Sequence, residues 1–125
     1  MSSNPLRVLV VDDEPDTVLS LVTILRAERY EAKGASDGRG ALKEIRVFDP
    51  DVVVMDISMP DMSGWDVARE LRKNGETRPM LIAITGTYIR APDEALSRSV
   101  GFNHYLLKPC DPSYLLKILG GVAPK

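Results

Sequence analysis

The chain has 125 residues, 44% of them hydrophobic, with 16 basic and 18 acidic side chains for a net charge of −2. That length fits one domain able to bury roughly two-thirds of its unfolded surface, and a single cysteine, Cys110, excludes an internal disulfide framework and points to a reducing, cytoplasmic setting. Its longest apolar run, Met80–Ile84, is far short of the ~20 residues of a membrane helix; Met1–Pro5 predicts no secretory signal, and the mixed charge argues against direct nucleic-acid binding.

In chain order, apolar runs and amphipathic stretches alternate five times, the pattern of an α/β protein with a parallel sheet. The first strand is predicted over Leu6–Val11, and a helix after Asp12-Asp13-Glu14-Pro15 with Val18, Leu21, Val22 and Leu25 on one face. Glu31–Ala35 is a short, mixed strand and belongs at a sheet edge. Asp37-Gly38 starts the second helix, with Ala41, Leu42 and Ile45 facing inward. The third strand is Asp51–Met55; the third helix starts at Ser63-Gly64, buries Val67, Ala68 and Leu71, and stops near Asn74-Gly75. Met80–Thr85 is the fourth strand. The fourth helix, Pro92–Val100, opens with a proline whose missing N–H costs nothing there. His104–Leu107 is the fifth strand, and Asp111-Pro112 opens a last helix with Leu115, Ile118 and Leu119 inward. The uninterrupted runs Val8–Val11, Val52–Met55 and Met80–Ile84 read as strands buried on both faces. The expectation is therefore a (βα)5 unit, a three-layer sandwich with helices on both faces of a parallel sheet.

In such an open sheet, ligands bind beyond the carboxyl ends of the strands. Asp12 and Asp13 stand there after the first strand, Asp56 after the third, Thr85 at the end of the fourth and Lys108 after the fifth. Singly each has an ordinary reading: acidic caps on a helix start, a turn residue, a capping hydroxyl, a solvated lysine. Together they place three carboxylates, a hydroxyl and an amine on one edge. Carboxylates that close repel and raise one another's pKa unless a cation joins them, and an oxygen-only, partly hydrated site suits Mg2+ together with a phosphoryl group. An aspartate in that setting is able to act as a nucleophile and form an acyl phosphate, with Lys108 balancing the charge.

Four segments in order, Val8–Pro15, Asp56–Gly64, Ile84-Thr85-Gly86 and Leu107-Lys108-Pro109, carry a resemblance. The chain resembles the receiver domains of bacterial two-component response regulators, the CheY-like family, from Leu6 to Leu119. The resemblance implies a flavodoxin-like sheet of order 2-1-3-4-5 and a single receiver domain over 1–125 with its core in 6–119. It implies Asp56 as phosphoacceptor, with Mg2+ (or Mn2+ in its place) held by Asp12, Asp13, Asp56 and the backbone carbonyl of Ser58. Thr85 and Tyr105 become a switch pair, Lys108 the phosphoryl-binding lysine, and Ser58 and Thr87 the residues that set the lifetime of the phosphorylated state. The implied partners are a sensor histidine kinase or histidine phosphotransfer protein, and a downstream protein or second copy at the 88–119 face. The implied role is that of a signalling domain promoting its own phosphorylation and dephosphorylation, not an enzyme with a separate substrate. A cis Lys108–Pro109 bond is also expected. A haloacid-dehalogenase-type phosphatase would need a second Asp where Ser58 stands, and a longer chain. A flavin carrier would need a Ser/Thr/Gly phosphate cradle where Asp12-Asp13-Glu14 stand. Trp65 is expected to pack on the third helix, His104 to be an ordinary strand-end residue, Cys110 to be inert, and Tyr88 and Ile89 to lie in the loop after Thr85.

Overall fold

In chain order the elements are β1 (Arg7–Val11), α1 (Pro15–Ala27), β2 (Glu31–Ala35), α2 (Gly38–Phe48), β3 (Val52–Asp56), α3 (Gly64–Arg72), β4 (Met80–Thr85), β5 (His104–Leu107) and α4 (Pro112–Gly120). They come from a computed structural model that describes residues 5–86, 95–96, 98–108 and 111–124. The five strands are parallel in the order β2-β1-β3-β4-β5. The order implied by the resemblance is therefore the order found.

Continuous apolar runs take the centre because both faces of those strands are covered. On one face Leu9, Val11, Val53, Met55, Leu81 and Ala83 pack against Ala41 and Phe48 of α2 and Val67 and Ala68 of α3. On the other, Val8, Val10, Val52, Val54, Ile82 and Ile84 pack against Val22 and Leu25 of α1 and Leu115 and Leu119 of α4. Side chains along each strand alternate between these layers. The mixed β2 lies at one edge, as its composition predicts, and β5 lies at the other.

Helix starts follow their capping residues. The Asp37 side chain accepts from the Gly40 N–H at 2.6 Å, and Asp111 from the Ser113 N–H at 2.9 Å. Ser63 and Asp66 form a reciprocal capping box at the start of α3. That helix ends at Arg72, just ahead of Gly75, whose φ of +76° a glycine tolerates without strain.

Two boundaries differ from expectation. β1 begins at Arg7, not Leu6, and β3 runs over Val52–Asp56, not Asp51–Met55. Asp51 is taken up before the strand begins: its carboxylate accepts the Arg7 N–H at 2.9 Å and its own N–H donates to the Arg7 carbonyl at 2.9 Å. Of the predicted fourth helix, Ala95, Leu96, Arg98 and Ser99 are described and helical. The rest of its first turns, together with Thr87, Tyr88, Ile89, Pro109 and Cys110, lie outside the described residues. So does the Lys108–Pro109 bond; the cis peptide among the described residues is Arg78–Pro79.

Candidate functional site

The register brings the expected residues to one edge. Val11 of β1 pairs with Met55 of β3, so Asp12 and Asp56, each one residue on, emerge side by side. Both are buried, at 3% and 7% exposure, whereas Asp13 is exposed. A carboxylate oxygen from each of Asp12, Asp13 and Asp56 lies within 4.8 Å of the others. Lys108 reaches them from β5, its backbone anchored by an N–H bond of 2.7 Å to the Thr85 carbonyl. Its ammonium donates to Asp12 Oδ2 at 2.6 Å and to Asp56 Oδ2 at 3.3 Å.

Each buried carboxylate divides its oxygens in the same way. Asp12 Oδ1 accepts the Glu14 N–H at 2.9 Å, and Asp56 Oδ1 accepts the Ser58 N–H at 3.1 Å. These turns two residues ahead hold the side chains upright, and both Oδ2 atoms face Lys108. Asp12 does not cap α1, whose N-cap is Glu14 with no side-chain cap: one oxygen serves the turn before the helix, and the other serves the cluster. Burial pushes the Asp56 carboxyl above its ordinary value, aided by the charge of Asp12 and opposed by Lys108 and the Ser58 N–H. Burial also works against the Lys108 charge. The bond to Asp12 and the field of Asp56 outweigh it and hold the ammonium above the usual lysine value.

Among the described residues, one ammonium set against three carboxylates leaves negative charge uncompensated. Oxygen donors only, two of them buried and one open to solvent, fit a hard, partly hydrated divalent cation.

Thr85 is fully buried at the end of β4. It registers with Leu107, and Tyr105 registers with Ala83, one side-chain step back along the same face. Tyr105 packs against the core layer that includes Ala83. Thr85 and Tyr105 are thus diagonal neighbours on adjacent strands, not directly paired. Ser58 contributes its N–H to Asp56 and is otherwise exposed; its proposed lifetime partner, Thr87, is not among the described residues. Trp65 is partly buried against the same core layer, as expected of a packing residue. His104 is exposed on β5 and stands outside the carboxylate trio.

Two features escaped the sequence. Gly64 sits directly against the backbone of Asp56, where the sequence showed only a helix start. Asp51 is a third buried carboxylate, at the opposite end of the sheet; its position at the head of an apolar run signalled only the start of a strand.

The response regulator receiver domain family model matches residues 8–120. Protein PilH of Pseudomonas aeruginosa is 34% identical over 116 residues, covering 93% of this chain and 96% of PilH. The DNA-binding response regulator MtrA of Mycolicibacterium smegmatis is 38% identical over 111 residues, covering 88% of this chain and 47% of MtrA, so the chain spans about half the length of that relative. Among solved structures, chemotaxis protein CheY4 of Vibrio cholerae superposes with a TM-score of 0.87 at 28% identity, over 95% of this chain and 99% of that one. With its carboxylate cluster at the carboxyl edge of a 2-1-3-4-5 sheet, the chain belongs to the response regulator receiver domains of two-component signal transduction.

Proposed function

We propose that this chain takes a phosphoryl group onto Asp56 from the phosphohistidine of a sensor kinase or histidine phosphotransfer protein. The observation that carries the reading is the Lys108 ammonium set between Asp12 and Asp56, with Asp13 beside them. Asp12, Asp13, Asp56 and the Ser58 backbone carbonyl would hold Mg2+, or Mn2+ in its place. Bound there, the cation would neutralise charge spread over the transferring phosphoryl oxygens.

The residues divide the work. An Asp56 carboxylate oxygen forms the new P–O bond as the P–N bond to the donor histidine breaks, and the electron pair leaves with the imidazole. Lys108 favours the ionised form of Asp56 against the effect of burial and meets phosphoryl oxygens after transfer. The Ser58 N–H fixes the oxygen that does not react. A cleft of about 590 Å³ opens beside Lys108 between α1 and α4, with Leu21, Ile24, Ile84 and Pro112 among its walls. It offers partly apolar footing beside Lys108 for a histidine-bearing donor.

The new phosphoryl group offers strong acceptor oxygens, and Thr85 is the nearby neutral donor. Drawing the Thr85 hydroxyl toward it makes room on the face that Tyr105 shares. That biases a pre-existing equilibrium of the β5–α4 surface, where Leu107 and Tyr114 are exposed apolar side chains at 56% and 64%. A downstream protein or a second copy docks there. Ser58 and Thr87, both small and neutral, give attacking water no strong orienting group. The phosphorylated state therefore decays slowly compared with a double variant combining Ser58→Asn and Thr87→Glu.

The test is incubation with acetyl phosphate and Mg2+, followed by intact mass. One phosphoryl group should add to the wild type, none to Asp56→Asn, and none in chelator. Phosphate on a serine or histidine would overturn the assignment.

A further inference from the structure

We infer that Gly64 is a positioning residue for the acceptor, and that α3 is packed against the Asp56 backbone with no room for a side chain. A Cβ at Gly64 would lie 2.7 Å from the Asp56 carbonyl oxygen, 2.9 Å from Ile57 Cα and 3.3 Å from the Asp56 carbonyl carbon. All three neighbours are backbone, so no side-chain rotation relieves the contact. The Gly64 N–H also donates to the Ile57 carbonyl at 2.9 Å. Val67 and Ala68, both fully buried in the core, hold α3 against the sheet, so the helix has little freedom to retreat.

The peptide touched is the one from which the site is built. Asp56 supplies the carboxylate, and two residues on, the Ser58 N–H holds Asp56 Oδ1 at 3.1 Å. A methyl group at position 64 must push the Asp56–Ile57 peptide away from α3. That tilts the carboxylate and moves residue 58 together with it. The loop that follows has no slack on its other side either: a Cβ at Gly38, where α2 begins, would lie 2.9 Å from Met62 Cβ.

Helix propensity predicts the opposite outcome. Alanine is a better helix former than glycine, so Gly64→Ala considered only as a helix substitution should be harmless or stabilising. Any loss of site function in that variant therefore comes from the contact with Asp56.

The inference rests on the reading of Asp56 as phosphoacceptor, and the experiment separates the two. Gly64→Ala is compared in the full chain with Gly120→Ala, a glycine with open space around it. Each is followed by thermal melting, by calorimetric titration with Mg2+ alone, and by the rate of phosphorylation from acetyl phosphate at saturating Mg2+. Gly64→Ala should keep a cooperative melt, bind Mg2+ roughly tenfold more weakly, as displaced supporting groups do at metal sites, and react roughly tenfold more slowly. Gly120→Ala should match the wild type in all three. Wild-type Mg2+ affinity and rate in Gly64→Ala overturn the inference. Failure of the wild type itself to take phosphate overturns instead the reading of Asp56. A measurement on the unmodified chain keeps the test open if Gly64→Ala does not fold: on Mg2+ addition the Gly64 amide signal should shift comparably to that of Ser58, and a stationary Gly64 signal counts against the contact.

Discussion

At the amino-terminal end of the sheet, Asp51 is 4% exposed, accepts the Arg7 N–H at 2.9 Å and faces the Arg78 guanidinium at 3.7 Å. At the carboxyl end, Asp12 and Asp56 are buried to a similar degree and also accept backbone N–H groups, but with Asp13 they share the ammonium of Lys108. Hydrogen bonding is comparable at the two ends; charge balance is not. Two like charges ~5 Å apart near a protein surface repel by about 3 kcal/mol. The amino-terminal end is a finished ion pair that holds β1, β3 and the start of β4 together. Among the described residues, the carboxyl end lacks matching positive charge, which a cation or a protonation event can supply. Burial alone therefore does not identify the site; buried charge left without enough counter-charge does.

The largest expected effect lies at the balanced end. Asp51→Ala removes the acceptor for the partly buried Arg7 N–H bond and the partner of Arg78, and should cost about 2 kcal/mol. The Arg78 share is small because that side chain is half-exposed. Urea denaturation should show a lower midpoint at unchanged slope. An unchanged midpoint would mean that Asp51 carries no more weight than a surface residue.

The charge deficit predicts the opposite response at the carboxyl end. Mg2+ at ten times its dissociation constant should stabilise the wild type by about 1.4 kcal/mol, raising the melting temperature by roughly 4–6 °C. Asp56→Asn in chelator should be as stable as the wild type or up to about 1 kcal/mol more stable, since a buried carboxylate with a raised pKa costs the folded state in its charged form. The pH dependence follows. Without metal, that cost is fully present above the folded pKa of Asp56 and relieved as pH falls through it toward the unfolded value of 3.8. Protons and metal compete for the same group, so the Mg2+-induced rise in melting temperature should shrink over that interval. A metal effect independent of pH, or one retained in Asp56→Asn, would detach Asp56 from the cation site.

Much of this contrast was legible in the residue order. The long runs at Val8–Val11, Val52–Met55 and Met80–Ile84 read as central strands, and the strand ends then place Asp12, Asp56 and Lys108 on one edge. Composition also placed Glu31–Ala35 at an edge. Contacts perpendicular to the sheet were not legible. Gly64 reads as a helix start because spacing along one chain gives periodicity, not the 2.7 Å approach of α3 to the Asp56 carbonyl. Asp51 reads as the first residue of a strand because its partners, Arg7 and Arg78, are distant in sequence. That Thr85 and Tyr105 stand on neighbouring strands was legible from the strand order; their diagonal offset was not, since strand neighbours follow from topology and register from packing.

The smallest effect concerns Lys108, the cation described at the under-neutralised end. Its folded pKa is raised above the ordinary 10.5 by Asp12 and Asp56 in spite of its burial, so its contribution to stability is fully present below pH 10.5. It is lost as pH rises through the higher folded value. Lys108 is about one-quarter exposed, and screening holds the size of this contribution to about 0.5 kcal/mol. The wild type in chelator should therefore lose slightly more stability between about pH 10 and 12 than Lys108→Met, as ammonium loss uncovers the repulsion among three carboxylates. Every other titrating side chain is common to the two proteins, so the difference isolates this one group. Parallel alkaline melts for the two proteins in chelator would show that the acidic end is balanced by something other than Lys108, and the contrast between the two ends of the sheet would no longer hold.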